Sequence, residues 1–132
     1  MYILITNNPL VNEKYRCMDK IYLKNASLKD VLIQVRDEIH RGANLLTHPL
    51  TGGIKPDESP FKSILIQKRS ESSLDLESLN IISSAIEVAE KFLRDSCIKK
   101  YNANIIKDFQ TIDFAMIESG IKSLGGRDGK SL

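Results

Sequence analysis

The chain has the length and composition of one soluble globular domain, with 132 residues of which 42% are apolar and 27% charged. Its 19 basic and 17 acidic residues are interspersed and leave a net charge of +2, which is too small to indicate nucleic-acid binding. Cys17 and Cys97 lie far apart and outside any CxxC pair, so neither a disulfide framework nor a structural zinc site is expected. Reduced thiols favour a cytoplasmic location.

The first predicted element is a strand from Tyr2 to Ile5. All of its positions are apolar, which is typical of a strand covered on both faces, and the sequence TNNP then predicts a turn. The apolar run has neither the basic lead of a signal peptide nor the length of a membrane span, so no membrane association is expected. Ile21 to Leu23 predicts a second strand.

Three helices are predicted from apolar residues at helical spacing. The first begins at Ser27, which forms a capping-box pattern with Asp30, and ends before Gly42, which suits a left-handed cap. The second is capped by Asp75 or Ser72 and carries an apolar stripe. The third covers residues 105–124, where apolar residues again recur at a helical period.

Two further strands complete the predicted fold, a short one ending at Leu45 and Leu46 and another within residues 61–68. Strands that alternate with helices predict an α/β domain, because parallel neighbours need crossover helices. We therefore expect a single domain over residues 1–124, with a mostly parallel sheet of about four strands flanked by helices. Residues 125–132 are expected to form a flexible polar tail.

The long segment between Leu45 and Ser63, LLTHPLTGGIKPDESPFKS, is the predicted site. Ordered loops of this length usually bind something or cover a site, and ligands of open parallel sheets settle beyond the carboxyl ends of the strands. Both TNNP and THPLTGG follow predicted strands, so their side chains are expected to converge on one cleft that suits a small anion such as a carboxylate or acyl phosphate. The candidate ligand-binding residues are Thr6, Asn7, Asn8, Thr47, His48, Gly52, Gly53, Lys55 and Lys62.

Simpler interpretations stand beside this one. TNNP is also typical of a turn whose Asn side chains bond their own backbone. The glycine pair before Lys55 is likewise typical of a glycine-rich turn and not only of an anion-binding nest of backbone amides. His48 is held extended by Pro49, which suits general acid or base catalysis if the protein is an enzyme. It is equally suited to pin the loop by bonding a backbone carbonyl.

Several other motifs are rejected. Ser59, His48 and Asp57 are the residue types of a hydrolytic triad but lack a GxSxG elbow. The terminal GKS resembles a phosphate-binding loop, yet Leu124 stands where its first glycine is required. The two histidines have neither the spacing nor the cysteine neighbours of a metal site, so no metal and no cofactor is expected.

Three strings of the sequence resemble the GrdX family, small proteins encoded with the glycine, sarcosine and betaine reductases of amino-acid-fermenting anaerobes. They are TNNPLVNEKY, LLTHPLTGGIKPDESPFKSI and LDLESLNIISSAIEVAEKFL. The resemblance implies an accessory or regulatory protein of the reductase system rather than a catalytic component, and it supplies no catalytic residues. The expected partner is a small anionic metabolite or a subunit of the reductase complex. Apolar faces on the last helix also make a homodimer plausible.

Overall fold

The computed structural model describes residues 1–50, 56, 58–69, 73–95 and 101–128. Within them the chain forms four strands and four helices. In order these are β1 (Tyr2–Thr6), α1 (Pro9–Lys14), β2 (Lys20–Tyr22), α2 (Leu28–His40), β3 (Asn44–Leu45), β4 (Ser63–Gln67), α3 (Leu76–Asp95) and α4 (Ala103–Asp128). The α/β class and the single small domain are confirmed.

The prediction of a mostly parallel sheet is wrong, because the sheet is mixed. The strand order is β2-β1-β4-β3, and only the β1–β2 pair is parallel, whereas β4 runs antiparallel to both of its neighbours. The physical reason lies in the connection between β3 and β4, which contains no described helix. Adjacent strands that reverse direction need no crossover helix between them.

Helices cover both faces of the sheet, and each face has its own apolar core. Alternate residues of β1 and β4 point to opposite sides, so that Ile3 and Ile66 pack with α2 and α3, whereas Leu4 and Leu65 pack with α4. This two-sided covering explains why these strands are apolar at successive positions, as predicted. It also places α4 directly across the start of β4.

The predicted ends of α2 are confirmed. The hydroxyl of Ser27 accepts from the backbone N–H of Asp30, and the Asp30 carboxylate accepts from the backbone N–H of Ser27. Gly42 follows the helix with a φ of 104°, a conformation that costs glycine little. These local signals position the chain for its entry into β3.

Two helical segments differ from expectation. No helix was predicted at TNNP, yet Asn8 caps the short helix α1 by accepting from the backbone N–H of Leu10, with Pro9 in the first turn. Helix α4 is longer than predicted and continues to Asp128, into the segment expected to be a polar tail. Residues 129–132, with the GKS motif, lie outside the described residues.

None of the helices in the described part of the chain combines the length and the apolar character needed to cross a bilayer.

Candidate functional site

A cleft of about 390 Å³ lies where the chain leaves β3, enters β4 and passes under α4. Thr47 and His48 line it from the β3 side, and Lys62 and Ser63 from the start of β4. Helix α4 supplies the opposite wall with Asp113, apolar side chains, two serines and a glycine. The α4 residues of this wall are Asp113, Met116, Ile117, Ser119, Gly120, Ser123 and Leu124.

The nine predicted site residues fall into three groups. Thr47, His48 and Lys62 line the cleft. Thr6, Asn7 and Asn8 are buried beneath it and are absent from its lining. Gly52, Gly53 and Lys55 lie outside the described residues, so their part in the site stays a prediction.

Thr47 is fixed by the edge of the sheet. Its hydroxyl oxygen accepts from the backbone N–H of Leu65 at 3.0 Å, and the backbone N–H groups of Leu46 and Thr47 both donate to the Leu65 carbonyl. Helix α4 comes so close here that a Cβ added at Gly120 would lie 3.0 Å from the Thr47 Cγ2. The glycine therefore permits the close approach of α4 to the cleft wall.

A double substitution tests this approach. In a Thr47→Ser background, which removes Cγ2 but keeps the hydroxyl, Gly120→Ala is expected to stabilise the protein by about 1 kcal/mol through helix propensity. In wild type the gain is expected to be smaller by about 0.5 kcal/mol or more, because the new methyl group collides with Thr47. Urea denaturation measures both values. Equal gains in the two backgrounds would show that the contact is unimportant.

His48 stands at the exposed rim of the cleft. Its Nδ1 accepts from the backbone N–H of Leu50 at 3.1 Å, so the proton of the neutral imidazole resides on Nε2. This bond fixes the orientation of the ring relative to the backbone of Leu50. The rejected triad gains no support, since the hydroxyl of Ser59 accepts from the backbone N–H of Phe61 and Asp57 lies outside the described residues.

Lys62 is the buried cation of the site. The residue is only 8% exposed, yet it lines the cleft. No carboxylate oxygen of the described residues lies within 4.0 Å of its ammonium, which also has no hydrogen-bond partner among them. Burial lowers the pKa of Lys62, and the nearby negative charge of Asp113 opposes this effect. Because the Nζ of Lys62 has no such partner and is not fully enclosed, the ammonium reaches the open cleft, where it is suited to bind an anion.

Asp113 is the buried acid of the site and was not predicted. The residue is 6% exposed, and its Oδ2 accepts from the Ser63 hydroxyl at 2.7 Å and from the Asn8 side-chain amide at 3.0 Å. Burial raises the pKa of Asp113, while these hydrogen bonds and the charge of Lys62 lower it and so oppose part of the increase. One signal was present in the sequence, since Asp113 precedes Ile117 by one helical turn and so interrupts the apolar face of α4.

A chain of hydroxyl groups runs beneath the acid. The Thr6 and Ser63 hydroxyl oxygens lie 2.6 Å apart, and Thr6 also accepts from the backbone N–H of Asn8. Because the Ser63 proton goes to Asp113, the Thr6 hydroxyl must donate to Ser63. The network holds the Asp113 carboxylate rigidly at the floor of the cleft, so Thr6 and Asn8 support the site from below.

The pH dependence of stability tests the burial of Asp113. Because its pKa is raised in the fold, its proton stabilises the protein fully below about 3.8, and this contribution is lost as the pH rises through the raised value. Asp113→Asn keeps an oxygen acceptor and cannot ionise. The free energy of unfolding of this variant relative to wild type is therefore expected to increase over that pH window. Denaturation at several pH values measures it, and a pH-independent difference would contradict the burial argument.

Asn7 ties three segments together behind Lys62. Its side-chain amide donates to the carbonyls of Ala26 and Pro60, and its Oδ1 accepts from the backbone N–H of Lys62 at 2.9 Å. Every polar atom of the side chain is therefore used internally. The role of Asn7 is to position the backbone of Lys62.

Replacement of Asn7 by alanine leaves these three backbone groups without their partner. The free energy of unfolding is expected to fall by about 2 kcal/mol, as measured by urea denaturation. Asn104→Ala, at an exposed position of α4, is the control and is expected to change it by less than about 0.5 kcal/mol. An Asn7 variant as stable as this control would mean that the bonds do not position Lys62.

A second cleft of about 710 Å³ lies around the connection between α1 and β2. It is larger than the first, but its charged side chains, such as Glu13, Lys14 and Arg16, are exposed, as is Cys17. Exposed charges are solvated and impose little on a ligand. The smaller cleft holds the buried, oppositely charged groups and is the better candidate site.

The sequence of the chain identifies its family. The model of the GrdX-like protein family matches residues 3–122, which is most of the chain. The chain belongs to the GrdX-like protein family. The matched range of this GrdX-like chain includes Thr47, His48, Lys62 and Asp113, so the charged part of the cleft lies within it. No curated protein and no solved structure matches the chain.

The acidic, histidine and cysteine side chains that the structure of this GrdX-like protein describes do not gather around a metal position. Within the described residues, no group of three or more such side chains is arranged to hold a metal ion. The polar groups that converge on the cleft are an amine, a carboxylate, an imidazole and hydroxyls. These groups are suited to bind a small polar molecule through charge and hydrogen bonds.

Proposed function

We propose that this protein is an accessory or regulatory protein of the glycine, sarcosine and betaine reductase system that binds a small anionic metabolite. Membership of the GrdX-like family supports the association with the reductase system. The observation that carries the binding proposal is the ammonium of Lys62, which meets the open cleft from a buried side chain and has no ionic partner among the described residues. A ligand can supply the opposite charge that this ammonium lacks within the described part of the protein.

The lining of the cleft supports a position for the ligand next to Lys62 and Asp113. On the far side of Lys62 and Asp113, the remaining space among the described residues is only about 10 Å³, so a ligand reaches them from the cleft alone. Thr47 and His48 also line the cleft and offer further polar contacts. Lys55 remains a predicted second cation of the site.

A thermal-shift screen tests the proposal. The panel consists of small compounds that carry a carboxylate or phosphate group, amino acids included. A true ligand at about 100 times its dissociation constant stabilises the folded state by roughly 2.7 kcal/mol, which raises the melting temperature by roughly 10 °C. Lys62→Gln is expected to abolish the shift, whereas Lys107→Gln, on the exposed surface of α4, keeps it. A panel without a Lys62-dependent ligand would contradict the proposal.

A second candidate function is catalysis through His48. It is favoured by one observation, that His48 lines the same cleft as Lys62 and Asp113 and presents a protonated Nε2 when neutral. Such a site suits acid-base chemistry or transfer of an acyl or phosphoryl group, with Lys62 stabilising negative charge. If His48→Ala retains the fold and ligand binding but loses turnover of such a compound, the protein is an enzyme and not an accessory binder.

Alternatively, the segment from Leu45 to Ser63 binds a subunit of the reductase complex. Such docking predicts that the reductase complex co-purifies with this protein and that substitutions in the Leu45 to Ser63 loop abolish the association. Failure of the two to co-purify would count against a partner role.

A further inference from the structure

The floor of the cleft carries two opposite charges that do not neutralise each other. Lys62 and Asp113 are both more than nine-tenths buried, and both line the cleft. They are near enough to affect each other electrostatically, yet they form no ion pair. A fold that only needed to bury the two charges would bring them into contact, because contact is what offsets their loss of hydration.

A ligand that carries only a negative charge matches Lys62 and leaves the charge of Asp113 without a partner. Placed on Lys62, such an anion would stand near the carboxylate of Asp113, and the two like charges would repel each other. The negative charge of Asp113 also calls for a partner. Its carboxylate accepts hydrogen bonds from Ser63 and Asn8, but no cationic side chain of the described residues forms an ion pair with it. A ligand with a cationic N–H donor would satisfy it.

We infer that the cleft recognises a small zwitterion of the amino-acid type, with its carboxylate on Lys62 and its ammonium group on Asp113. This inference rests on the proposed function and specifies its ligand class. The volume of about 390 Å³ is near the lower end of the usual range for ligand sites and suits a molecule of this size. Apolar side chains of α4, among them Met116 and Ile117, border the space left for the rest of the ligand.

Matched pairs of compounds test the inference by titration calorimetry on the intact wild-type protein. Each pair contains an amino acid and the same carboxylate without its amino group: alanine with propionate, serine with 3-hydroxypropionate, aspartate with succinate, and leucine with 4-methylpentanoate. In at least one pair the amino acid is expected to bind tenfold or more tightly than its partner. Ethylamine, which has the ammonium group alone, is expected to bind at least tenfold more weakly than that amino acid.

Two variants test the role of the negative charge of Asp113. Asp113→Asn keeps the acceptor for Ser63 and Asn8, and it is expected to remove the preference for the amino acid while the matched carboxylate binds as well as or better than before. Asp108→Asn, at an exposed position of the same helix, is the control and is expected to keep the preference. Circular dichroism establishes that each variant is folded. Should Asp113→Asn fail to fold, the wild-type pairs decide the matter alone.

The outcomes separate this inference from the proposed function. If carboxylates bind in a Lys62-dependent manner as tightly as their amino-acid partners, the zwitterion inference is overturned and the anion-binding proposal stands. If no member of any pair binds wild type, the inference is also overturned. Retention of the amino-acid preference in Asp113→Asn would overturn the role given to this carboxylate.

Discussion

Lys62→Met is expected to make the protein more stable and unable to bind its ligand. Methionine fills a similar volume without a charge, so the cost of burying an ammonium disappears, and a gain of about 0.5–2 kcal/mol in the free energy of unfolding is expected at neutral pH. The lowered pKa of Lys62 sets the pH dependence. The cost to wild type is complete below that lowered value and vanishes as the pH rises to about 10.5, so the advantage of the variant is lost over this window.

Urea denaturation at neutral and alkaline pH measures the gain, and titration with the ligand of wild type measures the loss of binding. Lys107→Met, at an exposed position of α4, is the matched control. It is expected to leave ligand binding unchanged and stability within about 0.5 kcal/mol. A Lys62→Met variant that is strongly destabilised would mean that the ammonium has a structural partner. One that still binds the ligand would remove Lys62 from the site.

Asn8→Ala is expected to cause the largest loss of stability, about 3–4 kcal/mol in the free energy of unfolding. The residue is fully buried and caps α1 through the backbone N–H of Leu10. Its side-chain amide donates to the carbonyl of Gln110 and to the carboxylate of Asp113, and these bonds join α4 to the end of β1. Removal loses a helix cap and leaves buried acceptors unsatisfied.

Urea denaturation and hydrogen exchange of the α4 amides measure this loss. We expect exchange to accelerate more in α4 than in α2, because α2 packs on the opposite face of the sheet. Asn102→Ala is a useful comparison, since its side chain caps only the start of α4, at an exposed position. If Asn8→Ala costs no more than this cap substitution, about 1 kcal/mol, the link between α4 and β1 is not important for stability.

Local signals in the sequence were sufficient for most of the secondary structure. The capping box of Ser27, the positive φ of Gly42 and the apolar strands depend on near neighbours, and each was predicted correctly. The direction of β4 was not predictable in the same way. It depends on how the chain returns through the long loop, and an apolar run has the same composition in a parallel and an antiparallel strand.

The candidate site was predictable on one side only. Thr47, His48 and Lys62 belong to the long loop that the sequence marks, and the structure places them in one cleft. Asp113 and Gly120 come from α4, distant in sequence, and they meet the loop only because α4 packs across the start of β4. Asn7 and Asn8 were singled out as ligand-binding candidates, but their side chains bond the protein itself. A polar residue at a strand end does not reveal which of these roles it has.

Backbone amide NMR spectra recorded during titration with the best compound of the screen test the central claim most directly, since they locate the binding site. The account predicts that the largest shift changes fall on residues 46–48, 62–63 and 113–124, and that these changes are absent in Lys62→Met and retained in Lys107→Met. Shift changes centred on the larger cleft between α1 and β2, or changes that persist in Lys62→Met, would contradict it.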